Sequence, residues 1–227
     1  MWRLKKRNKK VFQKFDYNGG RTFVVGDIHG CFQLLEDSLS DHNFDKSVDH
    51  LFSVGDLVDR GPASHLALDY LNQPWFHAVR GNHEQMVIDA GGTSWHVNNG
   101  GQWFNDLDAG QQLMFVAAFD KLPTIIQFTS PSGRRIGIVH AAYLRDTWDN
   151  IEQTIENSVD RLTTPNPLLW DRNLIRSTGF GGLEPVKGID HIYCGHTPTK
   201  APITSGNISW IDTGAFATNK LTVIEVD

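Results

Sequence analysis

Five short apolar runs in this chain each end on a residue able to bind a metal ion or move a proton. Val24-Val25 runs into Gly26-Asp27-Ile28-His29-Gly30, Ser53-Val54 into Gly55-Asp56-Leu57-Val58-Asp59-Arg60-Gly61, and Ala78-Val79 into Arg80-Gly81-Asn82-His83-Glu84. Ile138-Val139 leads to His140, and Tyr193-Cys194 to Gly195-His196. Singly, each has an ordinary explanation: Asp27 or Asn82 as a helix cap, Arg60 and Arg80 as surface cations, the glycines as tight turns. Those explanations must coincide five times. A ligand site beyond the carboxyl ends of the strands of an α/β sheet accounts for all of them together.

Asp, His and Asn offer oxygen and nitrogen donors without thiolate, a set that suits Mn²⁺, Fe, Zn²⁺ or Mg²⁺. Asp27 and His29, two residues apart on an extended strand end, project to one side and can share an ion. Asn82, His140 and His196 can hold a second, with Asp56 as the bridge between the two. Two divalent ions bring four positive charges and the two carboxylates return two, so the centre attracts an oxyanion. Ions about 3.5 to 4 Å apart can clamp a phosphoryl group and turn a bridging water into hydroxide, as in-line attack on phosphorus requires. Arg60 and Arg80 lie in the same loops, and their planar forks match phosphate oxygens. His83, beside the ligand Asn82, is the candidate proton donor to a leaving alcohol, and Asp59 would accept its other ring N–H and favour its cation. Six further histidines (His42, His50, His65, His77, His96 and His191) read as surface or core residues.

Apolar periodicity supplies the elements that must hold these residues. Strands are expected at 21–25, 50–54 and 76–79, each followed by a helix, at 31–39, 63–71 and 84–90. Residues 91–110 form an ordered excursion and a helix follows at 111–119. A hairpin is expected at 124–129 and 135–139 around Pro131-Ser132-Gly133, then a second excursion over 145–190 and strands at 191–194, 208–211 and 221–226. Helices early and extra strands late predict one α/β domain, two face-to-face sheets with helices outside.

The 227 residues are 40% apolar and 11% aromatic, enough for one sizeable core. The first 14 residues hold seven Lys or Arg and no acid, leaving 14 basic against 26 acidic residues in the remainder. We therefore divide the chain into a basic arm over 1–18, read as a solvated terminus, and a domain over 19–227. The acidic body argues against nucleic acid as a partner. No run approaches the roughly 20 apolar residues of a spanning helix, so a cytoplasmic protein with no membrane partner is expected. Cys31 and Cys194 are too few for a disulfide framework and read as buried small hydrophobes. Trp95, Trp103 and Trp170 read as packing anchors rather than cleft walls.

The ordered set GDIHG, GDLVDRG, RGNHE, His140 and GHTP resembles the serine/threonine phosphoprotein phosphatases among the calcineurin-like metallophosphoesterases, the small phage lambda-type and bacterial members above all. The likeness extends to Asn98-Asn99-Gly100-Gly101-Gln102-Trp103-Phe104, Leu169-Trp170-Asp171-Arg172 and Ile211-Asp212-Thr213-Gly214-Ala215. The resemblance implies a two-sheet sandwich and a dinuclear, usually Mn²⁺-supported, centre. Asp27, His29 and Asp56 would hold one ion and Asp56, Asn82, His140 and His196 the other. His83 with Asp59 would form the proton-donor pair, and Arg60, Arg80 and Arg172 would contact phosphate. Arg172 comes from the resemblance alone. Phosphoserine and phosphothreonine in proteins are the implied substrates, with phosphotyrosine as an extension. Symmetrical diadenosine tetraphosphate hydrolases share the first two motifs, but in known members the positions of Asp59 and Arg80 differ and the third block ends in Asp rather than Glu84. A silent phosphopeptide-binding module would be expected to lack a ligand or the acid, and none is missing.

Overall fold

A computed structural model of the chain describes residues 11–149, 151 and 166–227. Among these residues the strands form two sheets. The four-stranded sheet has the order β10-β2-β3-β4, with β2 (Thr22–Val25), β3 (His50–Ser53) and β4 (Phe76–Ala78) parallel and β10 (Val223–Val226) antiparallel at the edge. The six-stranded sheet has the order β1-β5-β6-β7-β9-β8. It is built from β1 (Phe12–Phe15), β5 (Ile125–Thr129), β6 (Arg135–Val139), β7 (His191–Cys194), β8 (Ile203–Ser205) and β9 (Ile208–Trp210), with β6, β7 and β9 mutually parallel.

Period-two alternation assigns each strand face. Phe23 and Val25 of β2 pack under the helices, whereas Val24 faces the other sheet with Phe52, Ile126, Phe128, Ile136 and Ile138. Across the layers Phe52 stacks on Phe128, ring centroids 4.0 Å apart. Behind the four-stranded sheet lie α1 (Phe32–Asp41), α2 (Ala67–Leu71), α3 (Asn82–Ala90), α4 (Ser94–Asn98) and α5 (Ala109–Asp120). The outer face of the six-stranded sheet carries Val139, Ile192 and Trp210 beneath Trp148 and the short helices Pro167–Trp170 and Asn173–Ser177. No helix among the described residues is long and apolar enough to cross a membrane.

The sandwich and nearly every strand agree with the expectation, and the differences are local. Phe12–Phe15, placed in the basic arm, is an edge strand parallel to β5. Residues 1–10 lie outside the described residues, as does most of the stretch between Asp149 and Asn166. The helix expected at 63–71 is a 3₁₀ turn, Ser64–Leu66, running into α2. Gly81, not Asn82, occupies the cap of α3, because the Asn82 side chain is engaged elsewhere. Cys31 and Cys194 are both buried, and burial pushes both thiols up, as small core residues require.

Candidate metal centre and active site

The carboxyl ends of β2, β3, β4, β6 and β7 deliver Asp27 and His29, Asp56, Asn82, His140 and His196 to one buried cluster that joins both sheets. The donor atoms of His29, Asp56 and His83 gather within 4.8 Å of one another, and so do those of Asp56, His140 and His196, so that Asp56 belongs to both groups. Asp56 lies 3.6 Å from Nε2 of His29 through Oδ2 and 3.4 Å from Nε2 of His140 through Oδ1. Oδ1 of Asn82 stands 2.8 Å from Nε2 of His140 and 2.7 Å from Nδ1 of His196. The Asp27 carboxylate sits beside this set and accepts the backbone N–H of His196 at 3.0 Å.

The backbone reaches this arrangement at a cost. His29, Asp56, Asp59, Arg60 and His196 all take positive φ between 46° and 72°, a region that side chains other than glycine rarely adopt. Such residues persist only where their surroundings over-determine them. Here two turns lock together: the N–H groups of Ile28 and His29 both donate to the carbonyl of Asp56, and the N–H of Gly30 donates to Leu57. Glu84 fastens the second turn, its buried carboxylate accepting the N–H groups of Asp56 at 3.0 Å, Leu57 at 2.7 Å and Gly81 at 2.7 Å. Glycine is needed at 81 and 195 for space, since a Cβ there would collide with the carboxylates of Asp56 and Asp27 respectively.

The donor chemistry fits divalent cations. Nδ1 of His29 donates to the carbonyl of Val58 and Nδ1 of His140 to that of Val54, each at 2.8 Å. A carbonyl only accepts, so both rings carry the proton there and turn Nε2 toward the cluster. Burial pushes His29 and His196 down to about 3, which keeps both rings neutral near neutral pH, the form able to donate a lone pair to a cation. Burial, then Asp212 and Asp56, push the Asp27 carboxyl well above the carboxylate range. At His140, burial opposes the cation, but Asp56, the Val54 carbonyl and Glu84 together outweigh it and raise the value. Converging lone pairs and buried carboxylates of this kind call for positive charge among them.

Around the cluster, Nδ1 of His83 donates to Asp59 at 2.7 Å, and its Nε2 is buried without a hydrogen-bond partner, 3.9 Å from Asp56. Arg60 is exposed, its guanidinium 4.9 Å above the ring of Phe216 and Nη1 donating to His29 at 2.8 Å. Arg172 reaches Thr197, next to His196, at 3.4 Å. Arg80 departs from the expectation of a phosphate contact. It is 1% exposed, and its guanidinium donates to the carbonyls of Asp120 and Leu122 and to Gln85, bracing the end of α5.

Five residues of this region take places that sequence reasoning did not give them. Asp212 follows β9 as a sixth strand end, buried near Asp27 and Asp56, and the run Ser209-Trp210-Ile211-Asp212 carried the same apolar-then-acid signal as the other five. Glu84 was visible within its motif, but its backbone acceptors were not. His96 is fully buried on Asp59, and Trp103 donates Nε1–H to the same carboxylate at 2.6 Å. Trp95 is 49% exposed, so it anchors no core and instead stacks on Trp170 beside His196.

Residues 20–200 match the family described as Calcineurin-like phosphoesterase. Serine/threonine-protein phosphatase 1 of Salmonella typhimurium is 36% identical over 97% of this chain and 99% of its own length. A symmetrical bis(5'-nucleosyl)-tetraphosphatase of Photorhabdus laumondii is 46% identical over only 30% of this chain and 25% of its own. A crystal structure provisionally described as a diadenosine tetraphosphatase shares the fold with a TM-score of 0.65 at 21% identity, covering 96% of this chain and 97% of that one.

Proposed function

The chain belongs to the calcineurin-like phosphoesterase family, and from that premise we propose that it is a metal-dependent phosphomonoesterase acting on phosphoserine and phosphothreonine in proteins, with phosphotyrosine within its range. The observation that carries this reading is the buried Asp59–His83 pair beside the ligand cluster, its outer nitrogen unpartnered. A monoester of an aliphatic alcohol has a poor leaving group, and a proton donor fixed at the reacting centre answers that need. Similarity to a protein phosphatase across nearly the whole chain supports the protein substrate.

Asp27, His29 and Asp56 would hold one ion, and Asp56, Asn82, His140 and His196 the other, with Mn²⁺ as the preferred metal over Fe, Zn²⁺ or Mg²⁺. Ions bound there supply Lewis acidity to phosphoryl oxygens and acidify a water for attack on phosphorus. Arg60 and Arg172 orient the phosphate through paired N–H donors. His83 keeps its proton on Nε2 for the departing oxygen while Nδ1–H stays on Asp59. We place the enzyme in the cytoplasm, acting on phosphoproteins.

The test is turnover of p-nitrophenyl phosphate by Mn²⁺-supplemented protein, followed by a phosphoserine peptide against diadenosine tetraphosphate. Replacing His83→Asn should lower kcat by about 10²- to 10⁴-fold while metal content, measured by elemental analysis, stays unchanged. Loss of bound metal in that variant contradicts the assignment. The stretch shared with the tetraphosphatases favours dinucleotide hydrolysis as the second reading, and preference for diadenosine tetraphosphate over the peptide would establish it.

A further inference from the structure

The Asp59 carboxylate has more donors than a proton-donor pair requires. Besides His83, it accepts Nε2–H of His96 with both oxygens at 3.1 Å and Nε1–H of Trp103 through Oδ1 at 2.6 Å. The tautomer of His96 is fixed from its other side: the backbone N–H of Gly92 donates to Nδ1 at 3.2 Å, which leaves the ring proton on Nε2. The ring lies flat against Gly101, where any Cβ would overlap it, and edge-on to Phe104. His96, Asp59 and His83 are all essentially inaccessible to solvent. A fully buried histidine whose two nitrogens are both satisfied, one of them on the carboxylate that orients the proton donor, serves a purpose beyond filling space.

We propose that His96, with Trp103 at its side, is a positioning residue for the proton-donor pair: it fixes the Asp59 carboxylate so that His83 presents Nε2–H to the leaving oxygen. This rests on the phosphomonoesterase reading. In the assisted step the attacking water oxygen bonds to phosphorus, keeps one proton and releases the other to solvent, while the P–O bond to the seryl oxygen breaks; that oxygen takes the bonding pair together with the proton of His83 Nε2, which His83 regains from solvent afterwards. Nδ1–H of His83 does not transfer. Asp59 needs only to stay ionised and still, and hydrogen bonds from His83 and His96 hold its carboxyl below the usual range against the opposing pull of burial. The role also explains two neighbours: Gly101 makes room for the His96 ring, and the turn before it offers the Gly100 carbonyl to the N–H of Arg60.

Leaving-group dependence separates positioning from general structural support. p-Nitrophenolate departs with little protonic help, whereas a seryl alkoxide requires it. His96→Phe keeps a ring on Gly101 and removes the donor, and His96→Gln restores an N–H near the position of Nε2. Folding of each variant is verified by thermal melts in the Mn²⁺-loaded enzyme, and Trp103→Phe serves as a second, independent donor deletion. The expected result for His96→Phe is a kcat about ten-fold lower on a phosphoserine peptide and within about two-fold on p-nitrophenyl phosphate, with KM unchanged and His96→Gln recovering most of the loss. Equal losses on both esters, no loss on either, or a Gln variant no better than Phe overturns the proposal. Nitrogen-detected imidazole spectra of the wild-type protein give a readout free of activity: a proton on Nδ1 rather than Nε2 of His96 also overturns it. Wild-type protein idle on both esters with metal supplied would sink the phosphatase reading and the catalytic role of His96 with it, while the spectra would still report the bond to Asp59.

Discussion

His77 offers a test of the fold's acid sensitivity away from the catalytic cluster. Its ring on β4 lies between Phe15 and Phe52, with centroids 4.4 Å and 4.9 Å away, and Nε2 is 3.3 Å from Nδ1 of His50. Burial, and secondarily His50, bring it down to about 4. An unfolded histidine titrates near 6.5, so between those values the unfolded chain binds more protons and stability falls as pH falls. The term is absent above about pH 7 and costs about 2 kcal/mol at about pH 5, where the unfolded ring is almost wholly charged and the folded one is not. His77→Phe keeps a flat ring in the slot and deletes that term. At 2–4 °C per kcal/mol for a chain of this size, the wild type should lose about 4–8 °C more melting temperature than the variant between pH 7.5 and 5. Differential scanning calorimetry of both proteins at the two pH values measures the difference, in which the titrating groups other than its partner His50 cancel. Parallel melting curves would show that the His77 ring is hydrated and titrates normally, which would refute the argument.

Three further outcomes concern the site and the ion pair at the start of β3. Arg60→Ala should raise KM for p-nitrophenyl phosphate by about ten- to a hundred-fold, as expected for loss of roughly 1.5–3 kcal/mol of charge-assisted contact, whereas Arg80→Met should leave KM within about two-fold and lower the melting temperature by at least about 5 °C; steady-state kinetics and melts on both variants decide whether Arg80 braces α5 or meets phosphate. Chelation followed by dialysis should abolish turnover and lower the melting temperature, and Mn²⁺ at about 100 times its Kd should return about 2.7 kcal/mol of stability, read by titration calorimetry and melts. Asp49, which accepts the N–H groups of Arg21 and Asp45 and pairs with the Arg21 guanidinium at 2.7 Å, is held below the usual carboxylate range by those bonds against the opposing pull of burial. Its stabilisation is therefore present above about pH 4 and lost as pH falls through the lower folded value, so Asp49→Asn should flatten the acid limb of the melting profile.

Strand faces were legible because alternation of apolar residues reports burial directly: Phe23, Val24 and Val25 sort themselves between helices and the second sheet without further information. Strands β1 and β8 escaped for a physical reason. Phe12–Phe15 is an edge strand embedded in a run of lysines, and Ile203–Ser205 is three residues long, so neither offers a pattern that outweighs its surroundings. The residues that converge on the buried cluster were legible because each closes an apolar run, and the same rule applied at Ile211 would have found Asp212. His96 obeys no such rule. It lies 37 residues from Asp59, and only the fold, through Gly92, Gly101 and the turn after α4, brings its ring to that carboxylate. Arg80 shows the converse: two residues from Asn82 in sequence, its guanidinium donates to the carbonyls of Asp120 and Leu122 at the end of α5.

The stack of Phe52 on Phe128 acts as a spacer for the chemistry at the mouth of the sandwich. Asp56 is carried by the layer that holds Phe52, and His140 by the layer that holds Phe128, so the thickness of the hydrocarbon between the layers sets how far apart these two donors stand. The spacing of polar donors at the mouth is thus held by hydrocarbon side chains that lie a layer beneath them. A trimmed ring in that layer would loosen the spacing between Asp56 and His140 although neither ring touches them.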